Sequence, residues 1–174
     1  MKLNYLKMEN LFEILILIVI FIGMMFLAEV GAYFWHRLAH VMPPIKQTHD
    51  IHHRIIDDQA HQDFLYILGI LIIYLITLSW LYYKEKLSLK YLLVLYIPVL
   101  LVSIWNWYIH AAYHIENHWL NSYEWFKQDK RIHMQHHRNE ATNYSIASHF
   151  SDIIFETFDY GFPCSVETNN EIDS

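Results

Sequence analysis

Thirteen histidines stand in a chain of 174 residues, and ten of them recur at spacings of one helical turn. On an α-helix, residues three and four apart share a face, so each group of histidines can direct its imidazoles to one point. Each half of the chain carries one pair followed by one trio, and ten imidazoles from four segments can surround two metal ions. The four groups are His36-Arg-Leu-Ala-His40, His49-Asp-Ile-His52-His53, His110-Ala-Ala-Tyr-His114 and His133-Met-Gln-His136-His137.

The ligand type limits the metal that such histidines would bind. Imidazole suits iron, zinc, copper and nickel, whereas magnesium and calcium prefer oxygen ligands. Ten histidines are too many for the axial ligands of a haem, and a single cysteine, Cys164, excludes an iron–sulfur cluster. The Glu-x-x-His motifs of soluble di-iron bundles are absent from the four groups. The pattern predicts a His-rich di-metal centre; a closed structural zinc site is the alternative, although one tetrahedral zinc uses only four ligands.

Two polar residues outside the histidine groups are candidates for supporting the metal ligands: Glu29 and Asn106. Glu29 precedes His36 by seven residues, so its carboxylate would accept an imidazole N–H, unless it is an interfacial charge that reaches out of the bilayer. Asn106 lies one turn before His110, where it would orient that ring or hold a water, unless it makes an interhelical hydrogen bond. The remaining histidines are expected at the surface or in support of the ligands; they are His61, His118 and His149.

Three apolar stretches must position these residues: Leu11–Ala28, Phe64–Tyr83 and Tyr91–Ile109. Each is close to the length of about 20 residues that a helix needs to cross a bilayer. Pro98 interrupts the third stretch, which membrane helices tolerate. The polar residues 84–88 join the second and third stretches as a hairpin turn. The expected fold is an all-α integral membrane protein with three transmembrane helices.

This order of crossings returns the chain to the same membrane face at each histidine group. That face carries seven of the twelve Lys and Arg residues, a bias that favours the cytoplasmic side. We therefore expect a multi-pass protein of the endoplasmic reticulum or bacterial inner membrane, with its helical metal domain on the cytoplasmic face. Residues 1–160 would form one membrane-embedded domain that includes the metal site, and the polar residues 161–174 would form a disordered tail.

Two further expectations follow from the pattern of charge and hydrophobicity. A net charge of −6 without a long basic run argues against nucleic acid as a partner. Apolar residues between Ile146 and Phe158 recur at helical spacing and predict an amphipathic helix packed on the metal domain or lying in the membrane interface.

The histidine groups and their surroundings resemble the fatty acid hydroxylase superfamily, which includes sterol desaturases, sterol methyl oxidases, fatty acid 2-hydroxylases and short carotenoid hydroxylases. The match covers roughly Glu29 to Phe158. An aromatic residue precedes His-Arg in the segment Tyr33-Phe34-Trp35-His36-Arg37, as in the first histidine box of that superfamily. The segments Asn143-Tyr144 and Asp152-Ile-Ile-Phe155-Glu156-Thr157-Phe158 are similar to its terminal pattern, although Ser151 and Glu156 replace the usual Trp and Gly. Through this match the resemblance implies that Asp152 is a further residue that supports the metal ligands.

The resemblance implies a di-iron oxidoreductase that uses O2 to hydroxylate, or as a second choice to desaturate, a membrane lipid such as a fatty acyl chain or sterol. Two Fe ions would be the cofactor, and zinc fits the same ligands in purified protein. Because the chain has no flavin, nicotinamide or haem motif, electrons would come from cytochrome b5 or a ferredoxin. A carotenoid-type hydroxylase and a non-catalytic metal-binding membrane protein are the alternatives. Members usually have four membrane helices, whereas this sequence predicts three.

Overall fold

The computed structural model describes residues 2–54 and 61–161, and the side chains within 10–54 and 67–161. Four sequence-based expectations concern residues outside these described ranges. They are the side chain of His61, the start of the second apolar stretch at residues 64–66, the thiol of Cys164, and the tail that follows residue 161.

Six α-helices and one short 3₁₀ turn make up the described chain, which contains no β-strand. The all-α fold class is therefore confirmed for the described residues. The helices are α1 (Lys2–Ala39), α2 (Pro43–Arg54), α3 (His61–Tyr83), α4 (Leu89–Tyr113), α5 (Glu124–Arg138) and α6 (Phe150–Ile154), and the 3₁₀ turn is Trp119–Ser122.

Two helical segments within the described residues are long and apolar enough to cross a membrane, Asn10–Ala39 in α1 and Leu89–Tyr113 in α4. The described apolar part of α3, Ile67–Tyr83, is shorter, so the third predicted crossing stays a prediction. Large apolar side chains on α1 face outward, and those of Phe12 and Val19 are 67% and 70% exposed. A lipid environment accounts for such exposure, because soluble monomers rarely expose apolar patches of this extent.

The three apolar helices pack side by side, with α4 between α1 and α3. The turn at residues 84–88 joins α3 to α4 as predicted, and the hydroxyl of Tyr74 donates to the carbonyl of Leu95 across the hairpin at 3.2 Å. An ion pair between Glu13 and Lys90 joins α1 to the start of α4 at the end remote from the histidines. α4 continues through Pro98, which is buried.

A small apolar core lies at the histidine end of α4 and connects that helix to α5. Tyr113 and Phe126 are its two largest members, and both are almost completely buried. Their burial removes two aromatic rings from water, the strongest single contribution available to a domain this small. The core therefore fixes α5 against the end of α4; its members are Ile109, Ala112, Tyr113, Leu120 and Phe126.

The amphipathic helix predicted across residues 146–158 is wrong in its extent. Only Phe150–Ile154 is α-helical, and the flanking residues form an irregular loop. The backbone N–H groups of Tyr144 and Ser145 donate to the buried carboxylate of Asp152, so a side chain satisfies them in place of the backbone carbonyls of a helix. Ile153 and Ile154 are exposed rather than packed on the metal domain.

Candidate metal centre

The structure brings all ten clustered histidines together, in two groups of five whose ring nitrogens lie within 4.8 Å of one another. We call these groups the first and the second cluster. The first cluster consists of His36, His40, His49, His53 and His136, and the second of His52, His110, His114, His133 and His137.

The two histidine trios are divided between the clusters, whereas each trio was expected to point at one centre. In α2, His49 and His53 enter the first cluster, and His52 enters the second. In α5, the outer histidines of the trio enter the second cluster, and the middle one, His136, enters the first. With about 100° per residue, positions i and i+4 differ by about 40°, whereas the i+3 position points about 100° away from i+4. The middle histidine of each trio thus joins the cluster whose other four members come from the other half of the chain.

Hydrogen bonding between imidazoles does not explain the first cluster. The Nε2 atom of His49 lies 3.1 Å from the Nε2 atoms of three other histidines: His36, His40 and His53. A ring nitrogen carries either one proton or one lone pair, so it makes only one such bond. Convergence of several Nε2 atoms is instead the arrangement of ligands around a metal ion.

The spacing of the nitrogen atoms also bears on the coordination number. Neighbouring Nε2 atoms are 3.0 Å apart between His114 and His133 and 3.1 Å apart between His133 and His137. Nitrogens at right angles on bonds of about 2.1 Å are about 3.0 Å apart, whereas tetrahedral ligands at that bond length are about 3.4 Å apart. Five imidazoles at the shorter spacing fit an ion with more than four ligands better than they fit a tetrahedral zinc.

Backbone carbonyls orient two imidazoles of the first cluster. The Nδ1 atom of His36 donates to the carbonyl of Tyr144, and that of His136 donates to the carbonyl of Thr142, both at 2.6 Å. Because the carbonyl oxygen only accepts, the proton is on Nδ1 and the lone pair of Nε2 is free for a metal.

Asp152 supports these contacts by shaping the loop that carries the carbonyls. Its fully buried carboxylate accepts hydrogen bonds from the backbone N–H groups of Tyr144 and Ser145 at 2.8 Å and from the Thr157 hydroxyl at 2.7 Å. Asn143 has a positive φ of 55°, which asparagine tolerates better than most residues. The predicted supporting residue Asp152 thus reaches His36 through the Tyr144 carbonyl.

Glu140 approaches the first cluster and was not singled out by the sequence analysis. One of its carboxylate oxygens lies 3.4 Å from Nδ1 of His40, and the other lies 3.9 Å from Nδ1 of His53. These are electrostatic contacts rather than aligned hydrogen bonds, and the carboxylate is about half exposed. Its position three residues after the last trio, which ends at His137, is the signal that could have identified it.

Glu29 and Asn106 are hydrogen-bonded to each other, whereas the sequence favoured an imidazole partner for Glu29 and left both alternatives open for Asn106. The amide of Asn106 donates to Glu29 at 3.2 Å, and Ser148 donates to the other carboxylate oxygen of Glu29 at 3.5 Å. The Asn106 oxygen accepts the backbone N–H of Ala147 at 3.1 Å. The pair therefore joins α1, α4 and the loop before α6, as the alternative of an interhelical hydrogen bond predicts.

Aromatic packing positions part of the second cluster. The ring of Tyr113 stacks on His133 with centroids 5.1 Å apart and also packs against Phe126 with centroids 5.2 Å apart. The Tyr113 hydroxyl donates to the carbonyl of Ile146 at 3.1 Å. Among the described residues, the buried Nδ1 atoms of His133 and His137 have no hydrogen-bond partner. Tyr113 lies inside the third histidine box, so its burial against a ligand could have been inferred from its helical spacing.

Burial favours the neutral form of four clustered imidazoles, those of His40, His53, His133 and His136. Loss of hydration, followed by repulsion from neighbouring histidines, lowers the pKa of His40 to about 3. Burial also lowers the pKa of His136 to about 4, against a backbone hydrogen bond to Thr142 that raises it. Desolvation lowers the pKa values of His53 and His133 well below the usual range. Neutral imidazole is the form that binds a metal, so the site is ready for metal binding at neutral pH.

The two remaining described histidines lie outside both clusters. His118 caps the 3₁₀ turn by accepting the N–H of Leu120 at 3.3 Å. His149 pairs with Asp129 at 3.0 Å, rather than with the neighbouring Asp152. The structure thus separates the ten converging histidines from two that serve the surrounding fold.

An apolar cavity of about 510 Å³ extends from the clusters between α1, α3 and α4. At one end it reaches His36 and His49 of the first cluster and His110 of the second. Its polar lining residues are few and include Ser103 and Asn106 on α4. Small-molecule sites typically have this combination of an apolar wall and a few polar groups. The cavity can therefore present a hydrocarbon to both clusters.

Comparison with known proteins agrees with the sequence motifs and the geometry. The chain matches the family model described as fatty acid hydroxylase over residues 21–157, a range that includes both clusters and the cavity. Neither the curated proteins nor the solved structures gave a match. Because the matched range covers most of the chain, the protein belongs to the fatty acid hydroxylase family.

Proposed function

We propose that this protein is an O2-dependent di-iron hydroxylase of a membrane lipid, with desaturation as the alternative outcome. One observation carries the proposal: two five-histidine clusters lie at the end of an apolar cavity between membrane-type helices. A closed structural zinc site would need neither ten ligands nor a cavity. Membership of the fatty acid hydroxylase family supports the same reaction class.

In this proposal the ten clustered histidines would hold two iron ions, which supply the activation of O2. The reaction takes R–H, O2, two electrons and two protons to R–OH and water. The carbonyls of Thr142 and Tyr144 hold His136 and His36 in the tautomer that binds iron. The apolar cavity excludes water and places one carbon of the lipid near His36 and His110, so positioning determines which C–H bond reacts.

The remaining parts of the proposal concern the membrane and the electron source. Helix α3 would supply a third crossing together with α1 and α4, which places all four histidine boxes on one face, and the charge bias favours the cytoplasmic side. Electrons would come from an external one-electron carrier such as cytochrome b5 or a ferredoxin. Glu29, Asn106 and Asp152 would support the metal centre through the loop between α5 and α6, to which each of them is hydrogen-bonded.

The test compares purified protein and cellular lipids for the wild type, His136→Ala and His118→Ala. His136 lies in the first cluster, whereas His118 serves as the matched histidine control outside both clusters. We expect about two irons per wild-type chain and a hydroxylated or desaturated lipid in expressing cells. His136→Ala should lose that lipid and part of the iron, whereas His118→Ala should retain both.

Two outcomes would contradict the proposal. One tightly held zinc without iron would favour a structural metal site. Unchanged lipids in cells that also supply a cytochrome b5 or ferredoxin system, with iron fully loaded, would argue for a non-catalytic metal-binding protein.

A further inference from the structure

The face of α1 that lines the cavity changes in side-chain size along its length. Met24, Ala28, Gly31 and Trp35 follow one another at spacings of four, three and four residues, so they form a single stripe on the helix. Gly31 is the member of this stripe without a side chain. It lies five residues before His36, which corresponds to about 7.5 Å along the helix axis.

Neither backbone conformation nor packing requires glycine at position 31. The residue is inside a regular helix, where glycine is among the least favourable residues. A Cβ atom added at Gly31 would meet nothing within 4 Å, so no neighbouring element approaches closely there. Gly31 is exposed and lines the cavity, so the space that its missing side chain leaves opens onto the cavity.

A larger residue at position 31 would narrow the cavity about one and a half turns from the metal end. The other walls of the cavity come from α3 and α4, whose lining residues include Tyr74 and Ser103. A side chain of leucine or phenylalanine size would take up volume that the cavity now offers to a ligand. Because the added atoms occupy space that a ligand would otherwise fill, the loss of ligand binding should grow with the size of the substituent.

We propose that Gly31 is a specificity-determining residue: its missing side chain leaves the width that lets the hydrocarbon part of a lipid reach the histidine clusters. This inference rests on the proposed function in that the cavity is taken as the lipid site. According to this inference, the residue at position 31 of α1 limits how bulky a hydrocarbon can enter the cavity. Enlarging that position excludes hydrocarbon from the metal end without removing a metal ligand.

The experiment uses a photoreactive, alkyne-tagged palmitic acid as the probe, with full-length protein purified in detergent. The variants are Gly31→Ala, Gly31→Leu and Gly31→Phe. Matched controls are Gly23→Phe and Gly69→Phe, since both glycines are helical, both have open space around an added Cβ, and neither lines the cavity. After irradiation, labelling is mapped to peptides that cover residues 24–39 and 99–110, and metal content is measured on the same samples.

We expect labelling of the cavity peptides to fall at least about tenfold in Gly31→Phe, less in Gly31→Leu and least in Gly31→Ala. Both controls should label within about twofold of the wild type, and all variants should keep the wild-type metal content. Should Gly31→Phe lose metal, the graded comparison of Gly31→Ala with Gly31→Leu decides the matter.

Equal labelling of the wild type and the metal-loaded Gly31 variants would overturn the inference, as would an equal loss in the controls. Labelling requires no turnover, so this result is independent of the proposed reaction. A wild-type protein that oxidises no lipid but labels in a Gly31-dependent manner would refute the proposed function and leave the role of Gly31 intact.

Discussion

Each of the two clusters consists of five histidines, but different interactions hold the imidazole rings of the two clusters in place. In the first cluster, the Nδ1 atoms of His36 and His136 donate to carbonyls of the loop after α5, and Glu140 lies near two further rings. In the second cluster, His133 lies against Tyr113, within the apolar core between α4 and α5. A hydrogen bond constrains the orientation of an imidazole ring, whereas packing against a neighbouring ring constrains its position.

Because of this difference, we expect the two clusters to be sensitive to substitutions in different parts of the fold. A change in the loop after α5 should disturb the first cluster, because its imidazoles depend on carbonyl acceptors there. A change in the core between α4 and α5 should disturb the second cluster, because it removes the surface behind His133. Metal content per chain distinguishes the two kinds of damage.

Lowering the pH should have the largest effect on stability, because it protonates buried histidines of both clusters. The folded pKa of His136 is about 4, below its ordinary value of 6.5, so below pH 6.5 the unfolded chain binds more protons than the folded one. The free energy of unfolding therefore falls as the pH falls, by about 2 kcal/mol for His136 alone at pH 5. His40 and His133 are lowered in the same direction and add to the loss.

This prediction is checked by thermal unfolding of metal-free protein between pH 8 and pH 4. Stability should be constant above about pH 7 and should decline steeply below pH 6.5. A flat profile across this range would mean that the clustered histidines bind protons equally in the folded and unfolded chain, so that burial does not disfavour their charged form.

Tyr113→Ala should have the next largest effect and should separate the clusters. Loss of this almost completely buried ring leaves a cavity behind His133 and should lower the free energy of unfolding by about 3–5 kcal/mol. Tyr113→Phe keeps the stacking and loses one hydrogen bond to Ile146, so it should cost about 1 kcal/mol. Iron content should fall towards one per chain in Tyr113→Ala, with Tyr160→Ala as an exposed control.

Asp152→Asn should damage the other cluster by a smaller amount. The new amide keeps one acceptor oxygen and turns an N–H donor towards the backbone N–H groups of Tyr144 or Ser145, at a cost of about 2–3 kcal/mol. Denaturant unfolding and iron content measure the result. Asp129→Asn is the matched control, since it weakens a partly exposed contact with His149 and should cost less than about 1 kcal/mol. Equal losses in the two variants would refute a special role of the Asp152 loop.

Glu140→Gln should have the smallest effect, confined to metal affinity. Its carboxylate lies at 3.4 Å from His40 and is half exposed, so the fold should not depend on it. Removal of a group that contacts metal ligands typically weakens metal binding by about tenfold or more. Competition with a chelator measures this change, and Glu124→Gln, which alters only a surface pair with Lys127, should leave the affinity unchanged.

Much of the architecture was predictable because it depends on local spacing and on the length of apolar segments. The apolar stretch that begins at Leu11 became α1, and the polar turn at residues 84–88 closed the α3–α4 hairpin. The prediction of a helix from Ile146 to Phe158 was wrong in extent, because it rested on the spacing of apolar residues alone. It took no account of Asp152, whose carboxylate accepts a backbone N–H group of the preceding loop. The partner of Glu29 was also missed, because Asn106 is 77 residues away in the chain.

The amino-acid sequence by itself determined which ten histidines share helical faces, since the α-helix repeats every 3.6 residues wherever it lies. It did not determine how the trios divide between two clusters. His52 turns away from His49 and His53 by an angle that any helix imposes, and it reaches a second centre only because α4 and α5 present His110 and His133 there. That choice belongs to tertiary packing, because a side chain's direction follows from its own helix, whereas its partner follows from which helix lies opposite.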